Sequence, residues 1–236
     1  MSPSNSQLWK IKHLIIFHLL STFLVFSVFY LPLYNYLWKA IDTQCFYKMA
    51  GLVTNSPFWQ DFWAVANHRI GDVIEDVFFI IFFLWLMKIT PRGQKLQKSA
   101  EFFFMVLLTV AVVLFVNNFL FRQNVHIVRH SPSLELTEIT KLANLVSWIK
   151  VKGGSKASFP SDHATTALLF ICNFLYLSRN KFFRFCVCFY GAFLCCPRMV
   201  AGAHWLTDII CGSSSVVLIV FSWAFCTPFA SFCIKN

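Results

Sequence analysis

Long runs of apolar residues recur along this chain, and they constrain its fold more than any other feature. Of the 236 residues, 58% are hydrophobic and only 13% are charged. A soluble domain of this length does not carry such a composition, whereas about 20 consecutive apolar residues cross a bilayer as a helix. The sequence therefore predicts an all-α integral membrane bundle, folded as a single domain over residues 1–236.

Six transmembrane helices are predicted from the runs without charge. Glu75 and Asp76 interrupt the start of the second run, and the fifth run is short. The segment 34–70 is aromatic and polar, which predicts interfacial helices on the exterior surface, and 122–162 is predicted to form a basic exterior loop. The six predicted spans are 13–33, 71–89, 102–121, 163–177, 185–200 and 205–225.

The distribution of charge predicts how these helices are oriented. Of the ten acidic residues, only Glu101 lies on the side that carries the two termini and the basic loops 88–101 and 179–184. Short loops rich in Lys and Arg stay cytoplasmic, so both termini are predicted to face the cytoplasm. The loop 122–162 and the turn 198–204 then face outward, on one surface.

The net charge of +10 indicates an anionic partner. Nucleic acid is a poor candidate because the basic residues lie between apolar spans and form no continuous stripe. An anionic lipid or a phosphate group is the simpler partner for these charges.

His204 and Asp208 lie four residues apart at the predicted start of the sixth helix, so they share one face. An Asp that accepts one imidazole N–H leaves the other ring nitrogen free to attack; a purely structural His–Asp pair is the alternative. Arg198 precedes His204 by six residues, and its guanidinium matches phosphate oxygens. An arginine there also fits a side chain that reaches to the lipid headgroups.

The stretch from Pro160 to His163 opens the predicted fourth helix. Ser161 or Asp162 is a natural cap there, and the free backbone N–H groups of a helix start suit an anion. His163 is then placed to protonate a leaving oxygen as a general acid. The alternative is an ordinary capped helix with an incidental histidine.

Arg122 and Arg129 follow the predicted third helix. Two cations at this place could neutralise a transferred phosphoryl group, although exposed interfacial arginines are commonly only solvated. His126 and His130 lie in the same loop, and the sequence leaves their roles open.

Together these motifs resemble the type-2 phosphatidic acid phosphatase family, whose signatures are Lys-x6-Arg-Pro, Pro-Ser-Gly-His and Arg-x5-His-x3-Asp. The third signature is matched in full by Arg198, His204 and Asp208, and in the second only Asp162 departs, where Gly is usual. The first signature is matched in part. There the chain has Arg122 for Lys, Arg129 for Arg and His130 for Pro.

The resemblance implies a mechanism for these residues. His204 attacks phosphorus to give a phosphohistidine, Asp208 orients and supports it, and His163 protonates the leaving group. No metal or cofactor is implied, and no carboxylate cluster able to hold Mg²⁺ is expected. The implied phosphate-binding residues are Arg122, Arg129, Ser161 and Arg198.

A closer resemblance, to the lipid A 1-diphosphate synthase branch of that family, involves the stretches 131–139, 159–163 and 197–210. It implies a bacterial inner-membrane enzyme that moves phosphate from undecaprenyl diphosphate to the 1-phosphate of lipid A on the periplasmic face, with no protein partner. The stretch 67–72 resembles that branch as well, and either contacts an acceptor lipid or forms an interfacial turn.

Two alternatives stay open beside phosphotransfer. The first is hydrolysis of undecaprenyl diphosphate or another lipid phosphate, because the same phosphohistidine can pass its phosphate to water. The second is a non-enzymatic transporter with a basic vestibule. Polar residues along the middle of several spans would favour a transporter, but here they gather at helix ends on one side.

Overall fold

The computed structural model describes residues 10–125 and 127–228, and within these residues the fold is helical without β-strands. This confirms the predicted all-α class. The helices of the described part are α1 (Ile11–Phe29), α2 (Pro32–Thr54), α3 (Pro57–Asn67), α4 (Arg69–Ile89), α5 (Lys95–Ala111, continued as a π-helix over Val112–Val125), α6 (Pro132–Glu135), α7 (Leu142–Leu145), α8 (Asp162–Leu177), α9 (Lys181–Leu194), α10 (Cys196–Val200) and α11 (Ser214–Cys226, preceded by a π-helical turn over Asp208–Ser213).

Four helical segments of the described residues are long and apolar enough to cross a membrane. They coincide with the first, third, fifth and sixth predicted spans, so the chain is a multi-pass membrane protein. The predicted first span extends too far, because the chain breaks after α1 and Pro32 starts a new helix. The four candidate spans are Ile11–Phe29, Arg92–Asn124, Lys181–Val200 and Asp208–Cys226.

The second and fourth predicted spans are also helices, but they are not long and apolar enough to count as candidate membrane spans. Helix α4 carries Asp72, Glu75 and Asp76 in its first half, and these charges interrupt its apolar character. Helix α8 has only 16 residues, fewer than the roughly 20 that cross a bilayer. Six spans are therefore not established by length and composition alone.

Helix α8 forms the centre of the bundle, because it packs against α5, α9 and α11. Its side chains Phe170, Phe174 and Leu177 are buried, and Phe170 and Phe174 pack with Phe82 of α4. A helix in this position contacts neighbouring helices rather than lipid. Its first turn, at one end of the bundle, carries the predicted residues of the second signature.

Helix α2 lies outside the candidate spans and buries a single stripe along its second half. The buried residues are Asp42, Phe46, Ala50 and Val53, whose spacing of three or four keeps them on one helical face. This face packs against α3, α7 and α10. Helix α2 therefore supports the end of the bundle at which the turn between α10 and α11 lies.

Candidate active site

The loop after α5, the start of α8 and the turn between α10 and α11 meet at one end of the bundle. The backbone N–H of Ser158 donates to the Arg129 carbonyl at 2.9 Å, and the Ser158 carbonyl lies 2.7 Å from Nδ1 of His204. Three segments that are far apart in sequence thus contact one another through Ser158. The structure brings the three predicted motifs to one place.

A tight turn at Gly202 sets the separation of Arg198 and His204. Gly202 has a φ of +72°, a conformation that residues with a side chain rarely adopt. A Cβ atom there would also lie 3.0 Å from the side chains of Phe46 and Ser133. The N–H of Ala203 donates to the Arg198 carbonyl at 2.9 Å, which closes the turn and directs the chain back toward α11.

The tautomer of His204 follows from its hydrogen-bond partner. The Ser158 carbonyl can only accept, so at 2.7 Å it fixes the proton on Nδ1. The neutral ring then keeps the lone pair of Nε2 free for attack. Asp208 Oδ2 lies 3.6 Å from Nδ1, too far for a good hydrogen bond but close enough to stabilise a positive charge on the ring.

Arg129 lies between two buried carboxylates. Its Nη1 donates to Asp208 Oδ1 at 2.6 Å, and its Nη2 donates to Asp42 Oδ2 at 2.7 Å. The second oxygen of Asp208 accepts from the backbone N–H of Trp205 at 2.8 Å. Asp208 is thus fixed by its own helix start and by Arg129, and the phosphate contact predicted for Arg129 stays a prediction.

Sequence reasoning missed Asp42 and Ser158. A signal for Asp42 exists, because the acid falls in the apolar stripe that Phe46, Ala50 and Val53 continue at helical spacing. A carboxylate in such a stripe needs a buried partner. No comparable signal exists for Ser158, because its backbone carbonyl makes the contact and every residue has one.

The start of α8 carries the predicted general acid. Ser161 caps the helix, since its hydroxyl accepts from the N–H of Ala164 at 3.3 Å, as the sequence suggested. His163 is half-buried in the first turn. Arg198 and His204 both lie close enough to His163 to interact with it electrostatically. The two histidines therefore share one site, whereas the phosphate contact predicted for Ser161 stays a prediction.

Arg198 is held by the corner between α3 and α4. Its Nη1 donates to the Asn67 carbonyl at 3.0 Å, and its Nη2 lies 3.2 Å from Asp72 Oδ1. The Asn67 side chain donates to the Pro197 carbonyl at 3.3 Å and accepts from the backbone N–H of Lys152 at 2.8 Å. The stretch 67–72 thus positions Arg198, a contact the sequence analysis did not foresee.

Each of the three arginines predicted to bind phosphate is paired with a carboxylate. The pairs differ in solvent exposure, because the Asp72 side chain is 38% exposed whereas those of Asp42 and Asp208 are almost fully buried. A phosphate can therefore replace Asp72 more readily than Asp42 or Asp208. The pairs are Arg122–Asp162 at 2.7 Å, Arg129–Asp42 at 2.7 Å, Arg129–Asp208 at 2.6 Å and Arg198–Asp72 at 3.2 Å.

A carboxylate cluster was not expected from the sequence, and the structure corrects this. Asp72, Glu75 and His163 each offer a ligand atom, and these atoms lie within 4.8 Å of one another. The first turns of α4 and α8 meet only in the tertiary fold, so the sequence gives no signal for this group. Arg198 binds Asp72 as well, which makes the group part of the ion-pair network around Arg198.

An apolar cavity of about 710 Å³ opens beside this network, between α3, α4 and α9. Glu75 and Pro197 lie at its wall, so one part of the cavity is next to Arg198 and His163. Apart from Asp61, the remaining wall is apolar or aromatic, with Phe62, Val65 and Leu194 among its residues. Such a cavity suits a hydrocarbon chain attached to a phosphate.

The loop after α5 carries two histidines, His126 and His130, whose roles the sequence leaves open. His126 lies outside the described residues. The His130 side chain is exposed, and its backbone carbonyl accepts from the indole N–H of Trp205 at 2.7 Å. This bond ties the loop to the turn that carries His204.

Comparison with known proteins gives a family match and a similar curated protein. Residues 102–231, more than half of the chain, match the PAP2 superfamily, and this range contains every predicted catalytic and phosphate-binding residue. Lipid A 1-diphosphate synthase of Escherichia coli (strain K12) is 30% identical over 206 residues, which are 86% of this chain and 83% of that protein. No solved structure matches the chain.

Proposed function

The chain belongs to the PAP2 superfamily and is an enzyme of that family, and we propose that it transfers phosphate between membrane lipids through a phosphohistidine. The donor is undecaprenyl diphosphate and the acceptor is the 1-phosphate of lipid A. Similarity to a lipid A 1-diphosphate synthase over most of both chains supports lipid A as the acceptor, and the donor is the one that the resemblance of the sequence implies.

The observation that carries the phosphohistidine proposal is the fixed tautomer of His204. A hydrogen bond of 2.7 Å from Nδ1 to a backbone carbonyl presents Nε2 as the nucleophile. The ring is only 9% exposed, so water competes poorly with a bound phosphate. Asp208, 3.6 Å away, offsets the positive charge that develops on the ring.

The proposed first half-reaction forms one bond and breaks another at phosphorus. Nε2 of His204 bonds to phosphorus as the bond from phosphorus to the lipid-side oxygen breaks. The electron pair leaves on that oxygen, which takes a proton from His163. Arg198 exchanges Asp72 for the phosphate oxygens and stabilises their charge in the transition state, while Arg122, Arg129 and Ser161 complete the phosphate environment.

In the proposed second half-reaction the acceptor phosphate replaces the nitrogen. An oxygen of the acceptor attacks phosphorus, the bond to Nε2 of His204 breaks, and the ring returns to its neutral form. His163 takes a proton from the acceptor if one is present. Water attacking at the same point would release free phosphate, so the nature of the acceptor decides between transfer and hydrolysis.

We propose six spans for the single domain, with both termini in the cytoplasm and the site on the periplasmic side of a bacterial inner membrane. Helix α4 presents exposed apolar residues such as Val77, Ile81 and Leu84, which fits a face toward lipid. Its acidic residues Asp72 and Glu75 lie with His163 and away from that face. Its neighbour α8 is enclosed by helices and needs no lipid-facing length.

The activity is tested by incubating the purified protein with undecaprenyl diphosphate that carries ³²P in its terminal phosphate, with and without lipid A. We expect the label to move to lipid A when lipid A is present. Label recovered only as free phosphate would reject phosphotransfer and favour hydrolysis. Label that stays on the donor in both reactions would reject undecaprenyl diphosphate as the substrate.

We propose that the apolar cavity between α3, α4 and α9 holds the hydrocarbon chain of a lipid substrate. Replacing Val65 by Trp would fill part of this cavity. We expect KM for the long-chain donor to rise about 10-fold. The hydrocarbon chain would lose burial of an apolar area similar to that of one side chain, which corresponds to about 1.5 kcal/mol of binding free energy. KM for a short-chain analogue of the donor should change little.

The matched control is Val110→Trp, which places the same side chain on an exposed apolar position of α5 away from the cavity. Steady-state kinetics of both variants with donors of two chain lengths make the comparison. An equal rise in KM for the long and short donors in Val65→Trp would reject the cavity as the chain-binding site.

A further inference from the structure

We infer that Asp42 is a positioning residue of the active site, which acts from α2 through Arg129 and Thr207 to fix Asp208 beside His204. The inference rests on the proposed function, because it requires His204 to be the nucleophile. Asp42 lies outside the 102–231 range that matches the family, and none of the three signature motifs contains it.

Asp42 is fully engaged on the active-site side of α2. Its Oδ1 accepts from the backbone N–H of Thr207 at 2.9 Å. Its Oδ2 accepts from the Thr207 hydroxyl at 2.5 Å and from Nη2 of Arg129 at 2.7 Å. The residue is only 2% exposed, so these partners replace the water that a carboxylate otherwise requires.

These contacts lead directly to the residue behind the nucleophile. Thr207 is the neighbour of Asp208 in the chain, and Arg129 binds both its hydroxyl, at 2.7 Å, and Asp208 Oδ1, at 2.6 Å. A planar guanidinium that contacts two carboxylates has little freedom to rotate. The orientation of Asp208, and with it the 3.6 Å separation from His204 Nδ1, therefore depends on Asp42.

Charge gives Asp42 a second effect on the site. Asp42 and Asp208 share one guanidinium, so with both carboxylates ionised the group behind His204 has a net negative charge. Without the charge on Asp42, the positive charge of Arg129 would fully offset the negative charge of Asp208. The imidazolium that forms when His204 bonds to phosphorus would then lose stabilisation. Burial raises the pKa of the Asp42 carboxyl, while Arg129 and Thr207 act to lower it.

A structural role is the competing explanation, because the same face of α2 packs through Phe46 against Trp205. The variant Asp42→Asn separates the two roles. The amide has the shape of the carboxylate, and its oxygen still accepts from the Thr207 N–H. Its NH2 group replaces the oxygen that accepts from the Thr207 hydroxyl and from Arg129, and it has no charge to offer Arg129. A role confined to packing and to the bond from the Thr207 N–H would leave this variant close to wild type.

The test measures kcat and KM for the labelled donor in Asp42→Asn, with Glu138→Gln as a matched control. Glu138 is an exposed acid in the exterior loop, so its variant removes one carboxylate charge from the same side of the protein. We expect Asp42→Asn to lower kcat by about 10- to 100-fold, the range in which small misplacements act, with KM within about 2-fold. Wild-type kcat in Asp42→Asn would overturn the inference, as would a rise in KM without a fall in kcat.

Folding and the proposed function are checked in parallel. Melting temperatures in detergent show whether Asp42→Asn is folded, and the inference stands only if kcat falls in folded protein. His204→Ala separates the two proposals. An active His204→Ala would reject the proposed function itself, whereas an inactive His204→Ala beside a fully active Asp42→Asn would reject only the role of Asp42.

Discussion

The variant His204→Ala is expected to lose phosphate transfer almost completely, by about 10⁴-fold or more, as in enzymes that lose their nucleophile. The physical reason is that no other group takes the place of Nε2, whose lone pair is set by the bond from Nδ1 to the Ser158 carbonyl. Incorporation of ³²P into the protein should vanish together with turnover. Acid-labile, base-stable label on wild-type protein is the direct measurement, since phosphohistidine has that stability.

The control is His13→Ala, which removes an exposed imidazole on α1. It should keep both turnover and covalent label. Because the buried His204 ring makes a hydrogen bond to Ser158, the melting temperature of His204→Ala should fall by a few degrees, while the variant stays folded. Turnover retained in His204→Ala, or label retained on the protein, would contradict the assigned nucleophile.

Replacing His163 by Gln is expected to slow the first half-reaction by about 10²- to 10⁴-fold with a lipid monophosphate donor, the usual range for loss of a general acid. The effect should depend on the leaving group. The alkoxide that leaves a lipid monophosphate needs a proton as it departs, whereas p-nitrophenolate is stable without one. The same variant should therefore lose much less activity toward p-nitrophenyl phosphate.

Rates of a single turnover with both donors measure this difference, with His13→Ala again as the control. Equal losses for the two leaving groups would show that His163 holds or positions phosphate rather than donating a proton. His163 is close enough to Arg198 and His204 to interact with both electrostatically. Such an outcome would therefore keep His163 in the site, as a phosphate-binding or positioning residue.

The elements of this fold that could be predicted from sequence are those set by local composition. Long charge-free runs predict four spans that are also candidate spans in the structure. The other two predicted spans were the less apolar or shorter ones, because α4 carries acidic residues and α8 has only 16 residues. The end of α1 was misjudged, because the apolar run continues to Leu33 while Pro32 begins a new helix. Hydropathy does not register such a break.

The parts of the site that could not be predicted are contacts between distant segments. Arg129 and Asp42 are 87 residues apart, and Arg198 and Asp72 are 126 apart. No spacing rule connects residues at such separations. The proximity of Arg198, His204 and Asp208 was predictable because these residues are close in sequence. One short turn and one helix start determine how they lie relative to one another. Their roles in catalysis stay predictions until they are tested.

The enclosed position of α8 has a consequence for how the enzyme responds to its membrane. Lipids of different chain length act on a protein by hydrophobic mismatch, which tilts or displaces the helices that touch them. Helix α8 is surrounded by α5, α9 and α11, so such forces fall first on its neighbours. His163, in its first turn, should therefore keep its distance from His204 in thin and thick bilayers alike, and the rate of chemistry should vary less with lipid length than the rate of substrate entry.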